Sequence, residues 1–278
     1  MSRIALIDGD NLIYSVGFSV QHTFYELWNN GELYMTFDYS KQLWDFIPGC
    51  SQEFLDSSEV RERVEVEPVS HAFHSLDEMI SSIMRKVNGV EYIIYYGGTD
   101  NFREQIATIQ KYKGNRDPNS KPIYYEDLKV RLKSRYGAIQ AQGQEADDEL
   151  GIKFTELRSR GLDCILCTKD KDLNMIPGLH FNMNNETIFD VSEDEAIKFF
   201  YTQLLTGDTV DNIKGCKGIG PKTAEKILKD LTTEREMYEA TLEQYHKSYK
   251  DKAEEAILET GRLLWIRREA GQTWMPPV

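Results

Sequence analysis

Short apolar runs, each ending in carboxylates, recur along the 278 residues. Ile4-Ala5-Leu6-Ile7 leads into Asp8-Gly9-Asp10, and Tyr92-Ile93-Ile94-Tyr95-Tyr96 into Gly97-Gly98-Thr99-Asp100. Cys164-Ile165-Leu166-Cys167 is followed at once by Asp170 and Asp172. Wholly apolar runs of this length are expected of strands buried in a parallel sheet. Between them the apolar period changes to a helical one. Leu76, Met79, Ile80, Ile83, Met84 and Val87 predict a helix stopped by Asn88-Gly89. Ala146, Leu150, Phe154 and Leu157 predict a second, opened by Glu145-Ala146-Asp147-Asp148. Shorter helices are expected over 11–18, 102–109, 124–135 and 193–204, and a last strand and turn over 180–189. The alternation predicts an α/β fold, a mostly parallel sheet flanked by helices.

In an open sheet of this kind the carboxyl ends of the strands form one crevice. Carboxylates gathered there repel and raise one another's pKa unless a cation neutralises them. Hard oxygen donors in that number suit Mg²⁺ or Mn²⁺ rather than zinc. Glu145 and Asp148, three residues apart, share a helix face, with Asp147 on its border. Acids also favour helix N-termini and turns, which explains any one of these sites. It explains all of them together poorly.

Charge at first argues against a nucleic-acid partner, since the formal net charge is −13. Its distribution reverses that. Residues 101–136 hold nine Lys or Arg against four acids, and residues 214–229 five Lys against one Glu. Residues 22–70 hold three basic residues against ten acids. Local basic patches beside an acidic crevice fit a protein that grips phosphates and binds metal. Within the first patch, Lys111, Lys113 and Arg116 precede a turn-forming Asp117-Pro118-Asn119-Ser120, and Lys129 lies on the helix that follows. A solvated face and a phosphate clamp are equally good readings of Lys113 and Arg116. In the second patch Gly218-Ile219-Gly220 forms a tight turn and Pro221 opens a helix carrying Lys222, Thr223 and Lys226. Backbone N–H groups at such a turn and helix start bind phosphate without reading sequence.

The acidic, aromatic stretch 21–70 reads as an insertion containing a β-hairpin, with no assignable chemistry. Cys164 and Cys167 read as small buried hydrophobes, not as metal ligands. No apolar stretch is long enough to span a membrane, and the first residues run straight into a strand, so a cytoplasmic location is expected.

Taken in order, Ile7-Asp8-Gly9-Asp10-Asn11, Asp100, Tyr112-Lys113-Gly114-Asn115-Arg116, Glu145-Ala146-Asp147-Asp148, Thr168-Lys169-Asp170-Lys171-Asp172, Gly207-Asp208-Thr209-Val210-Asp211-Asn212 and Gly218-Ile219-Gly220 resemble the 5′-nuclease (flap endonuclease) superfamily. The likeness is greatest to its short phage-encoded 5′–3′ exonucleases. The resemblance implies a PIN-like domain over residues 1–190, with the insertion at 21–70 and a basic arch at 111–136. Residues 191–278 would form a helix–three-turn–helix (helix-hairpin-helix) region and C-terminal helices. It implies metal-carboxylate roles for Asp8, Asp100, Glu145, Asp147, Asp148, Asp170, Asp172, Asp208 and Asp211, holding two Mg²⁺ (or Mn²⁺). Lys113 and Arg116 would contact the scissile phosphate. Gly215, Gly218, Ile219 and Gly220, with Lys222, Thr223 and Lys226, would hold duplex DNA, with K⁺ between backbone and phosphate.

The implied activity is phosphodiester hydrolysis from a 5′ end on double-stranded, nicked or 5′-flapped DNA or an RNA–DNA hybrid, in phage replication, primer removal or recombination. The enzyme would act as a monomer in the host cytoplasm. The arch is short for the family, and the acidic insertion lies outside its core pattern. A DNA-binding module that has lost catalysis and a PIN-type ribonuclease are the alternatives. The first would lack a carboxylate, and the second leaves Gly218-Ile219-Gly220 without a task.

If the second basic patch holds phosphates, Lys222→Ala with Lys226→Ala weakens duplex binding equally for all sequences. Each lost contact lowers the slope of log affinity against log salt by roughly 0.9. An unchanged slope in a filter-binding titration would make the patch a solvated helix face.

Overall fold

A computed structural model describes residues 3–117 and 120–277. The chain begins with β1 (Arg3–Asp8) and α1 (Gly9–Ser19), then β2 (Gln21–Asn29), β3 (Glu32–Phe37), α2 (Ser40–Phe46), α3 (Gln52–Asp56) and β4 (Ser58–Val66). It continues through α4 (Val69–Val87), β5 (Gly89–Tyr96), α5 (Phe102–Ile106), α6 (Tyr125–Tyr136) and β6 (Ile139–Gln140). Next come α7 (Ala146–Ser159), β7 (Cys164–Thr168), β8 (Gly178–Asn182), β9 (Thr187–Val191) and α8 (Glu193–Thr206). The short strands β10 (Gly207–Asp208) and β11 (Ile213–Lys214) precede α9 (Pro221–Leu228), α10 (Glu234–Tyr249) and α11 (Ala253–Leu264).

Two compact units result, one of residues 1–11, 80–120 and 132–278, the other of residues 12–79 and 121–131. In the first, six strands run in the order β6-β5-β1-β7-β8-β9. All neighbours are parallel except the hairpin of β8 and β9 at one edge. The chain leaves central β1 for β5 and β6 on one side and later returns to β7 on the other. Strand order reverses at β1, where open sheets place their ligands. Every residue of β7 is buried, as its unbroken apolar run predicts. The same core holds Leu150, Phe154 and Leu157 of α7, Phe200 and Leu204 of α8, Tyr245 of α10 and Ile257 of α11. Sheet and C-terminal helices therefore contribute to one core, and near the expected boundary at residue 190 the chain passes from β9 into α8.

The second unit is a three-stranded antiparallel sheet in the order β3-β2-β4, larger than the hairpin expected. Leu27, Phe37 and Leu43 form its small core. On the sheet the Arg61 guanidinium lies 4.4 Å from the Trp28 ring centroid and that of Arg63 4.6 Å from Phe24. Of the expected turn at 117–120, the Ser120 N–H donates to the Asp117 carbonyl at 3.1 Å. Pro118 and Asn119 lie outside the described residues. Among the described residues no helix is long and apolar enough to cross a membrane.

Expected to reach residue 109, α5 stops at Ile106. The N–H groups of Thr108 and Ile109 donate instead to Glu259 Oε1 of α11, each at 2.8 Å. Arg103 of α5, 2% exposed, makes the firmest tie in this region. It donates to both Asp148 oxygens, at 2.6 and 3.0 Å, and to the carbonyls of Leu263 and Trp265, each at 2.8 Å. A buried guanidinium with this many partners locks α5, α7 and the end of α11 together. Removing one partner of such a pair leaves a bare buried charge. Asp148→Ala should therefore cost about 3–5 kcal/mol in urea unfolding, and Arg103→Met with Asp148→Leu much less. A single-variant loss below about 1 kcal/mol, the range of an exposed pair, would contradict the lock.

Candidate active site

Asp8 closes β1 at the reversal point and is buried. It accepts the Asn11 N–H at 3.1 Å and the Thr168 hydroxyl at 3.0 Å. Burial, then the neighbouring Asp10, pushes its carboxyl up to about 7. Asp147, in the first turn of α7, is held well above the usual range by burial, then by Asp8, Asp170 and Glu145. Asp170 caps the 3₁₀ turn after β7, accepting the Asp172 N–H at 2.8 Å. Burial, then the charges of Asp211 and Asp208, raises it against that hydrogen bond. Asp172 is pushed up to about 7 by burial, then Asp170 and Asp208. Asp208, also buried, sits on the two-residue ladder of β10 and β11 and accepts the Val210 N–H at 2.8 Å. At that ladder the backbones nearly touch: a Cβ on Gly207 (φ +71°) would meet Gly215 N at 2.3 Å, so neither glycine tolerates a side chain. Asp170 thus belongs to two overlapping sets, one with Asp8 and Asp147, the other with Asp172, Asp208 and Asp211.

Cations stand on the far side of these acids. Lys113, at φ +53°, donates its N–H to the Asp211 carbonyl at 2.9 Å. Its ammonium pairs with Glu145 and lies 3.6 Å from Asp211 Oδ2. Burial works against that charge, but Glu145 and Asp211 outweigh it and hold the ammonium above its usual range. Arg116 donates to Asp211 Oδ1 at 2.5 Å. The Tyr112 hydroxyl donates to Asp211 Oδ2 at 2.8 Å and lies 3.1 Å from Glu145 Oε2. Asn101 also donates to Glu145, at 2.9 Å.

Two expected ligands stand apart. Asp148 is fully buried, and its oxygens accept from Arg103, the Glu145 N–H at 3.2 Å and the Arg267 N–H at 3.1 Å. With its acceptors so occupied it is a structural ion-pair partner, which corrects the metal role expected of it. Asp100 is exposed on the loop after β5 and takes no part in the interactions that shift the buried acids. Asp10, given no role from sequence, accepts the Gly97 N–H at 2.9 Å and so braces that loop.

The donor set fits a hard divalent cation in chemistry: buried carboxylates whose charge the protein leaves largely uncompensated. Among the described residues no three Asp, Glu, His or Cys groups converge closely enough to share one ion. The acids are electrostatic neighbours rather than a closed coordination shell.

A family model described as "5′-3′ exonuclease, C-terminal SAM fold" matches residues 196–270. The DNA polymerase I of Caldicellulosiruptor bescii is 29% identical over 166 residues, 53% of this chain and 19% of that protein. A 5′-3′ exonuclease of Aquifex aeolicus is 26% identical over 173 residues, 58% of this chain and 59% of that one. This chain thus matches about a fifth of the length of the first polymerase relative. The bacteriophage T5 flap endonuclease, solved as a pseudo-enzyme–product complex with DNA and metal ions, superposes with a TM-score of 0.63 at 17% identity. That likeness covers 94% of this chain and 88% of the phage protein, and it shows the fold. Residues 196–270 are thus similar to the C-terminal part of 5′-3′ exonucleases, and the whole chain has the fold of the phage flap endonuclease.

The segment that matches the 5′-3′ exonuclease C-terminal model contains the second basic patch. Gly218 takes φ +79° in open space, and Gly220 precedes Pro221 at the start of α9. Ile219 packs against the core, while Lys222, Thr223 and Lys226 are exposed on α9. In the first patch Lys111 is exposed. Lys129 belongs to the second unit, with its ammonium 3.4 Å from Glu126. The Cys164 thiol is pushed up to about 11 by burial, in keeping with its reading as a small hydrophobe.

Sequence reasoning quoted Thr168 and Tyr112 only within their motifs, without a role, and passed over Arg103 and Gln203. Gln203 left a signal, a polar residue seven positions after Ala196 on the buried stripe of α8. Arg103 left none.

Asp8 and Asp172 have folded-state pKa values above those of the unfolded chain, so the native state binds more protons between about pH 4 and 7. In EDTA-containing buffer their contribution to stability is fully present near pH 4 and lost as pH rises through about 7. Melting temperature should therefore fall from pH 5 to pH 8, and Asp8→Asn should flatten the fall. A melting temperature that rises over this window in wild type would contradict the uncompensated burial.

Proposed function

We propose that this chain is a divalent-metal-dependent 5′ nuclease that hydrolyses phosphodiester bonds of double-stranded DNA from a 5′ end, as a 5′–3′ exonuclease and structure-specific flap endonuclease. RNA–DNA hybrid is a further substrate, and the setting is phage DNA replication, primer removal or recombination, with the protein acting as a monomer. The observation that carries the reading is the buried double set of acids around Asp170, faced by Lys113 and Arg116. The solved phage relative was bound to DNA and metal ions, and the relatives in sequence are DNA polymerase I and a 5′-3′ exonuclease.

Asp8, Asp147 and Asp170 would hold one Mg²⁺ or Mn²⁺, and Asp170, Asp172, Asp208 and Asp211 a second. Glu145 and Asp100 are further candidates. Divalent ions bound there would supply water activation and stabilisation of the leaving oxygen. The protein's own part is positioning. Thr168 and Asn11 fix the Asp8 carboxylate, and the Asp172 amide fixes that of Asp170. Lys113, held by Glu145 and Asp211, presents its ammonium beside the acids, where phosphate oxygens gain charge during cleavage. Arg116, about half exposed, offers a planar donor fork to the same phosphate. Backbone amides around Gly215 to Gly220 and the ammonium groups of Lys222 and Lys226 would grip duplex phosphates, and the same turn would hold K⁺, which would add positive charge there.

The test incubates the protein with Mg²⁺ and end-labelled nicked, 5′-flapped, blunt and hybrid duplexes, beside Asp170→Asn. Release of short products from 5′ ends by wild type only, with duplex affinity in EDTA equal for both, is the expected result. Cleavage of single-stranded RNA alone would favour the ribonuclease reading. Equal turnover by Asp170→Asn would remove Asp170 from the chemistry.

A further inference from the structure

Gln203 is 5% exposed on α8, a helix otherwise committed to the apolar core. Its Nε2 donates to Asp172 Oδ1, and its Oε1 is buried with no hydrogen-bond partner. A buried carboxamide with one end satisfied and the other bare is costly, and an apolar residue would pack there at no such penalty. The orientation follows from charge, because an ionised Asp172 accepts from the amide nitrogen and repels the amide oxygen. Gln203 also stands five residues before Asp208, which lies on β10 directly after the same helix.

We infer that Gln203 is a positioning residue for the second cation set: its Nε2 fixes the Asp172 carboxylate through Oδ1 and leaves Oδ2 to the cation. Donors behind ligating carboxylates of this kind govern metal affinity rather than fold. This inference rests on the divalent-cation reading proposed above.

Binding of Mn²⁺ to the full-length chain, followed by the electron paramagnetic resonance signal of free Mn²⁺, tests it without any turnover. The variants are Gln203→Met, close in length but without a donor, Asp172→Asn, and the two combined. Gln203→Met should weaken Mn²⁺ binding roughly 10- to 100-fold, with its circular dichroism spectrum unchanged. Added to Asp172→Asn it should change the affinity no further, because the carboxylate it serves is gone. Gln203→Asn keeps the polar head but shortens the arm, and should show the same loss as Gln203→Met. Wild-type Mn²⁺ affinity in a folded Gln203→Met or Gln203→Asn variant would overturn the inference. So would an equal loss in the presence and absence of the Asp172 carboxylate. Wild type that binds no Mn²⁺ would instead overturn the cation reading itself.

Discussion

Negative charge held out of water, with too little positive charge beside it, is the constraint on which the first unit depends. Asp8, Asp147, Asp170 and Asp172 all carry pKa values above the carboxylate range, because burial and mutual repulsion act in the same direction. A chain selected for stability alone would replace some of these acids with apolar residues, as buried charges commonly allow. Lys113 and Arg116 answer part of the charge, pairing with Glu145 and Asp211, and Lys113 also acts on Asp147, yet burial and like charges still hold Asp8, Asp147 and Asp172 raised. What remains is a built-in demand for a cation.

The scaffold that maintains this arrangement is paired and apolar, in contrast to the site. The strand β7 is buried along its whole length, and the fork of Arg103 on Asp148 ties three helices behind the acids. Asp147 and Asp148 are adjacent, yet one carboxylate is spent on Arg103 while the other is buried among charges that are mostly like its own, with Lys113 the opposing one. A helix turns its residues by about 100° each, so neighbours in sequence point to different surroundings. The first turn of α7 uses that rotation to place a structural acid and a candidate ligand side by side.

Much of this was legible in sequence, for physical reasons that also explain the gaps. Parallel strands with buried C-terminal halves leave unbroken apolar runs, so β1, β5 and the wholly buried β7 could be read directly, and helix α7 announced itself by its period and its acidic first turn. The strand ends then located Asp8 and Asp170. Asp148 was misread because a carboxylate's partner is set by tertiary packing, and Arg103 lies 45 residues earlier with no local pattern to betray it. Asp100 stands at the edge of the group, since the loop after β5 leaves it exposed and uses Asp10 as its brace. The end of α5 was missed for a similar reason, since Glu259, 150 residues away, captures the N–H of Ile109. The three-stranded sheet in the second unit was half visible, as alternation in β3 without the pairing that β4 supplies.

The central claim is that the acids around Asp170 are held for a divalent cation. The most direct measurement is thermal unfolding with and without millimolar Mg²⁺, at pH 8 and again at pH 5. Ligand that binds only the native state raises the melting temperature by mass action. At pH 8 the acids are ionised and Mg²⁺ should raise it clearly, whereas at pH 5, with Asp8 and Asp172 largely protonated, the rise should nearly vanish. A melting temperature indifferent to Mg²⁺ at pH 8 would contradict the account, as would an equal rise at both pH values.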